Sequence, residues 1–191
     1  MAPQPVNGQV NRWQTQAECR EAGVLLLLYP HRITALHKID LHLTLIRRRQ
    51  YPGVHSGQIS LPGGRRENGE TLQQTALRET GEEIGVLPDM LQVEGPLSSL
   101  YTPPSNFCIY PYVAFSSIRP KFHPNPREVA EIIEVPLELL ANPATCKKEV
   151  WYFEKYGDRQ IPFFEVFGHK VWGATAMILS EFLTLLTQPG N

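Results

Sequence analysis

The sequence predicts an α/β layered domain, and three observations carry that prediction. Apolar or alternating runs suited to strands recur along the chain, a capped helix follows a Pro-Gly-Gly turn, and an amphipathic helix closes the sequence. No internal repeat or low-complexity linker divides it. With 191 residues, 42% of them apolar, the chain has material for a single substantial core.

Residues 1–20 are polar and mixed, and read as an N-terminal extension, either a loose tail or a small helix laid over the domain. The domain itself is expected over 21–186, with a short tail at 187–191. Gly23 to Tyr29 is continuously apolar and reads as a strand covered on both faces and ended by Pro30. HRITALHK, 31–38, reads as an irregular hairpin arm. Leu41 to Arg47 then alternates, with Leu41, Leu43 and Leu45 on one face of a second strand.

Tyr51 to Gly64 holds four glycines and two prolines around Gln58-Ile59-Ser60-Leu61, the composition of a shaped loop, a short strand and a tight turn. Thr71 with Gln74 forms a capping-box pattern and Gly85 can stop a helix, which places the helix at Leu72 to Ile84. Leu91 to Leu100 and Phe107 to Phe115 are strand candidates. Glu128 to Leu140 reads as a short strand and a helix with Pro136 in its first turn. Between 141 and 170, Trp151, Tyr152, Phe153, Phe163, Phe164 and Phe167 suggest packed loops and edge strands. Ala174 to Leu186 offers Ile178, Leu179, Phe182 and Leu186 to the core from a closing helix.

Eighteen Lys plus Arg against nineteen Asp plus Glu give a net charge of -1 and no broad basic field for nucleic acid or membrane. Arg47, Arg48 and Arg49 form only a local patch. The three cysteines, Cys19, Cys108 and Cys146, have no metal-site spacing and read as reduced thiols. The N-terminus lacks an apolar signal core, and Val24 to Leu28 is far too short to span a bilayer, so a soluble cytoplasmic protein is expected.

The chemistry concentrates in Gly64 to Val86, where Glu79, Glu82 and Glu83 share one helix and reach one region. Leu72, Ala76, Thr80 and Ile84 form the apolar stripe, and Glu83 projects at its border. Exposed like charges cost a helix only about 0.2–0.5 kcal/mol, but the cost grows when packing excludes water. Two readings follow: a solvated acidic patch tied to Arg78, or a site for a hard divalent ion, Mg²⁺ or Mn²⁺. The Pro62-Gly63-Gly64 turn can bring a glycine carbonyl to such an ion and amides to phosphate oxygens. Glu70 can accept Arg78 or a metal-bound water.

Gly64, Glu70, Arg78, Glu79, Glu82, Glu83, Gly85 and Val86 stand at the spacing of the Nudix hydrolase signature, which this segment resembles. Thr80 replaces a usually bulky aliphatic residue there. The resemblance implies a Nudix-type α/β/α sandwich with mixed sheets and a loop-helix-loop catalytic motif. It also implies metal-dependent hydrolysis of a nucleoside diphosphate linked to another moiety. Glu79 and Glu83 match metal-binding positions, Glu82 is a further ligand or the base, and the Gly64 carbonyl is an added ligand. Glu70 and Arg78 match a structural pair, with Gly85 closing the motif.

Upstream, RRQYPGVHSGQISLPGG, Arg48 to Gly64, resembles the coenzyme A pyrophosphatase subgroup through Arg48, His55, Gly57, Gln58, Ile59 and the Pro-Gly-Gly ending. Ile46, Arg49 and Leu61 depart from its usual Thr, Ser and Phe. This narrower resemblance implies coenzyme A or a close derivative as substrate, with 3′,5′-ADP and a 4′-phosphopantetheine product. Arg48, His55 and Gln58 become candidate substrate contacts, against plainer roles as a strand-end arginine, a loop-placing histidine and a backbone-satisfying glutamine. Tyr101, Phe107, Trp151 and Tyr152 can stack on adenine, line a pantetheine channel, or simply pack. Glu128 or Glu131 can bring an extra carboxylate to the site, or pair with solvent or Arg127. Another nucleoside diphosphate derivative such as ADP-ribose or NADH is the alternative substrate, and a catalytically silent nucleotide-binding protein the alternative class. A homodimer through aromatic edges or the N-terminal arm is compatible with the sequence.

Overall fold

The computed structural model describes residues 18–33, 39–52, 55–154 and 156–187. Most of the expected N-terminal extension, and residues 34–38 of the hairpin arm, lie outside them.

Strands β1 (Arg20–Ile33) and β2 (Ile39–Arg48) form an antiparallel hairpin. Along β1, Leu25, Leu27 and Tyr29 enter one core while Leu26 and Leu28 enter the other, which is the two-sided burial expected of Gly23 to Tyr29. Each such buried leucine contributes about 1.5–3 kcal/mol. The strand does not end at Pro30. Pro30 pairs with Leu41 and the register shifts immediately beyond it, so the proline sits at a bulge, where a missing amide donor is tolerated.

Next come β3 (Ile59–Ser60), β4 (Gly63–Arg65) and helix α1 (Leu72–Ile84), whose limits match the capping signals. Strands β5 (Gln92–Pro96), β6 (Leu100–Thr102), β7 (Phe107–Phe115) and β8 (Val129–Pro136) follow, then the short α2 (Leu137–Ala141). Pro136 is the residue before that helix rather than part of its first turn, because it also closes β8 against His42. The main sheet runs β3-β2-β1-β7-β5, with β4 on β1, β6 on β7 and β8 on β2. β1 and β7 are parallel and the other pairs antiparallel, so the sheet is mixed.

Strands β9 (Cys146–Phe153), β10 (Gly157–Val166) and β11 (His169–Trp172) make a second, three-stranded antiparallel sheet where packed loops and edge strands were expected. Trp151 packs across it on Phe163 and Trp172. The closing helix α3 (Gly173–Thr187) sends Ala176, Ile178, Leu179 and Phe182 into the core of Leu26, Leu28, Leu43 and Leu45. Helix α1 supplies Ala76 and Ile84 to the opposite core with Leu25, Leu27 and Ile46. The main sheet is therefore covered by a helix on each face, an α/β/α sandwich.

Cys19 and Cys108 are joined in a disulfide, contrary to the reduced thiols expected, and Cys146 is free. The parallel register sets Arg20 beside Phe107 and Glu21 beside Cys108, which carries the adjacent Cys19 to within 5.7 Å, Cα to Cα, of Cys108. A sequence separation of 89 conceals that proximity. Among the described residues no helix is long and apolar enough to cross a membrane.

Candidate active site

Helix α1 is fixed at both ends by local chemistry. The Thr71 side chain accepts from the Gln74 N–H, the Gln74 side chain accepts from the Thr71 N–H, and Gly85 closes the helix at φ 75°. Its first turns lie flat on β1 because Gly23 has no side chain; a Cβ there would overlap the Leu72 carbonyl and the Ala76 amide. Gly64 plays the matching part for the carboxylates. A Cβ on it would overlap the Glu79 carboxyl group, so the main chain of β4 rests directly on that side chain.

Glu83 is the buried member of the cluster, at 1% exposure. The Gly63 N–H donates to its Oε2 at 2.8 Å, and the Arg48 guanidinium stands 3.6 Å from Oε1. Burial pushes its carboxyl up to about 7 despite Arg48 and the Gly63 amide, and the charges of Glu79 and Glu128 push the same way. Burial also raises Glu79; Arg78, 2.9 Å away, opposes the shift, while Glu82 and Glu128 add to it. Glu82 is more exposed and lies 3.1 Å from Arg78.

Arg78 ties these parts together. Its Nε donates to Glu70 Oε1 at 2.6 Å, and another guanidinium nitrogen donates to the Arg65 carbonyl of β4 at 3.2 Å. Glu70 further accepts from the Thr75 hydroxyl at 2.9 Å and the Glu67 N–H at 3.2 Å. The Arg78 hydrogen bond is the main reason its carboxyl is held at about 2. Loop, strand and helix are thereby locked around Glu79 and Glu82.

The other expected residues divide. Glu131 accepts from Arg47 at 2.8 Å and lies 3.7 Å from His169, rather than pairing with Arg127. Glu128 accepts from the Asn125 side chain at 3.2 Å, and the Asn125 N–H donates to the Glu83 carbonyl at 2.8 Å. His55 Nδ1 is 3.0 Å from Gln58 Oε1, and the Arg48 N–H donates to the Gln58 carbonyl. Among the aromatics, Phe107 lies under the Arg20 guanidinium, the Tyr101 hydroxyl donates to Asn106, and Tyr152 is exposed. Sequence reasoning missed Gly23 and Asn125. A glycine inside an apolar strand was a readable sign of close backbone approach; nothing local marked Asn125.

A Nudix domain model matches residues 30–154 of this sequence. The chain belongs to the Nudix family. An uncharacterised Nudix hydrolase, NudL, of Pectobacterium atrosepticum is 32% identical over 85% of this chain and 80% of its own length. Nudix hydrolase 3 of Caenorhabditis elegans is 31% identical over 74% of this chain and 65% of that protein. The human mitochondrial coenzyme A diphosphatase NUDT8 is 32% identical over 78% of this chain, which spans 64% of that protein. Among solved structures, a MutT/nudix family protein from Enterococcus faecalis superimposes with a TM-score of 0.58 at 17% identity, over 91% of this chain and 64% of that one. A MutT protein from Methanosarcina mazei gives 0.56 at 15% identity, over 89% and 96%. These two share the fold.

Proposed function

We propose that this Nudix hydrolase cleaves the diphosphate of coenzyme A or a close derivative, releasing 3′,5′-ADP and a 4′-phosphopantetheine product. The observation that carries the reading is the position of the Arg48–Gly64 segment. It delivers Arg48 to the buried Glu83 and sets His55 against Gln58 in the loop that leads into the Gly64–Glu79 contact. The similarity to a coenzyme A diphosphatase supports the same substrate class.

Nudix hydrolases use divalent metal ions, and the donor set here fits a hard one. Burial raises the carboxyls of Glu79 and Glu83 although Arg78 and Arg48 stand beside them, and Glu128 adds negative charge to each, so carboxylate oxygen exceeds the positive charge at hand. Glu79 and Glu83, with Glu82 and the Gly64 carbonyl, would hold Mg²⁺ or Mn²⁺. A bound ion supplies a lowered pKa for the attacking water and offsets charge on the diphosphate oxygens. Within the chain, the Gly63 N–H orients Glu83, and Glu70 orients Arg78, which fixes Glu79 and Glu82. Arg48 presents a guanidinium suited to a phosphate oxygen. Water adds to one phosphorus, the bridging P–O bond breaks, and the departing phosphate oxygen retains the bond electrons; Glu82 is the candidate acceptor for the water's proton.

The test is product-resolved mass spectrometry with coenzyme A, dephospho-coenzyme A, ADP-ribose and NADH, each with Mg²⁺ and Mn²⁺. Preferential conversion of coenzyme A to 3′,5′-ADP supports the reading. A strong preference for dephospho-coenzyme A or ADP-ribose rejects recognition of the 3′-phosphate, and no turnover on any substrate favours a silent nucleotide-binding protein.

A further inference from the structure

A second cluster of ligand-type side chains lies at the other end of the β1–β2 hairpin. Tyr29 stands directly opposite His42, and after Pro30 the shift of register sets His31 and Arg32 together against Asp40. The bulge brings the His31 imidazole onto the His42 ring, stacked with centroids 4.3 Å apart. One potential ligand atom from each of His31, Asp40 and His42 lies within 4.8 Å of the others. From Gly23, which pairs with Gly64, His31 is eight residues further along β1, roughly 25 Å at the rise of a strand.

His42 is 6% exposed, yet its Nδ1 is buried without a hydrogen-bond partner among the described residues. That nitrogen lies 3.5 Å from Asp40 Oδ1, beyond a good hydrogen bond. A buried polar atom left in this state needs an explanation. Glu134, whose charge also acts on His42, does not provide it. Glu134 is already committed to the Tyr29 hydroxyl at 3.0 Å and to two nitrogens of Arg119 at 2.8 and 2.6 Å.

We propose that His31, Asp40 and His42 form a binding site for a borderline-soft divalent ion of the Zn²⁺ class, separate from the glutamate cluster of α1. Two imidazoles and one carboxylate are a donor set that favours such ions over Mg²⁺. At metal–ligand distances of about 2.0–2.2 Å, ligand atoms of a tetrahedral site lie about 3.3 Å apart. Rotation of the partly exposed His31 and Asp40 toward the fixed His42 closes the difference. Ion binding clamps β1 to β2 at the bulge.

The test is zinc binding by the full chain in saturating Mg²⁺, which fills hard oxygen sites, with a Co²⁺ visible spectrum to report nitrogen ligation. One zinc equivalent per chain, a zinc-dependent rise in Tm, and loss of both in His31→Asn and Asp40→Asn are expected. His42→Asn should behave alike if it folds; the two less buried positions keep the test independent of that outcome. Absence of zinc binding by the parent chain, or unchanged stoichiometry and Tm response in His31→Asn and Asp40→Asn, overturns the proposal. Neither readout depends on hydrolysis or on the identity of its substrate.

Discussion

Two polar clusters sit at opposite ends of one hairpin, and they are assembled by different means. Around α1, Glu70, Arg78, Glu79, Glu82 and Glu83 come from one short stretch, and a capped helix of fixed pitch decides which of them converge. At the far end, His31 meets Asp40 and His42 only because two strands pair in one register and β1 bulges after Pro30. The first cluster carries excess negative charge close to Gly63 and Gly64. The second sets two imidazoles beside one carboxylate, with His42 buried and His31 and Asp40 partly exposed. Spacing on a helix is readable from sequence; register across a hairpin is a property of the folded sheet.

The sharpest break of the comparison is Glu83→Gln. Its expected cost in kcat exceeds the roughly 10–100-fold typical of losing a partner that only orients a ligand, measured at limiting and saturating Mg²⁺. Its carboxyl is raised to about 7 from an ordinary 4.5, so the ionised form is disfavoured by folding, and stability falls as pH rises from 4.5 through about 7. In metal-free buffer at pH 8, Glu83→Gln should therefore melt no lower than the parent. Near-full activity in that variant would remove Glu83 from the site.

A smaller effect is expected at the orienting pair. Arg78→Lys keeps the charge but loses the fork that spans Glu70 and the Arg65 carbonyl, and kcat should drop about 10–100-fold. Glu70→Gln should act alike, and it also tests acid stability. Because Glu70 is held at about 2, its contribution is fully present above 4.5 and is lost as pH falls from there through about 2. Acid unfolding followed by circular dichroism should show a weaker pH dependence in that window for Glu70→Gln.

Glu128, just before β8, and Glu131, near its start, face different partners. Glu128→Gln should shift the kcat–pH profile, since its charge acts on Glu79 and Glu83, whereas Glu131→Gln should chiefly disturb Arg47 and His169. Equal profiles for the two variants would place Glu128 outside the catalytic electrostatics. The smallest effect belongs to the cap: Thr71→Ala should lower stability by about 1 kcal/mol in chemical denaturation, with little change in substrate preference.

Local pattern was enough for α1, for β7 over Phe107–Phe115, and for the two-sided burial of Gly23 to Tyr29, since capping chemistry and apolar runs act over neighbouring residues. It misjudged the end of β1, because Pro30 breaks a strand only where its amide is needed, and here a bulge excuses it. The aromatic stretch after 141 looked irregular because much of β9 and the start of β10 are solvated; hydrogen bonding between β9, β10 and β11 orders it. The disulfide followed the same logic, since only the parallel β1–β7 pairing brings Cys19 to Cys108.

The family, the limits of α1 and the spacing of its carboxylates were already present in the sequence, because helix pitch and capping are set within a few residues. The tertiary structure decided which glutamate is buried, that Arg48 faces Glu83 and Arg47 faces Glu131, and that two histidines and an aspartate meet beyond Pro30. Those outcomes depend on strand register and on where solvent is excluded, and both come into being only when distant segments pack.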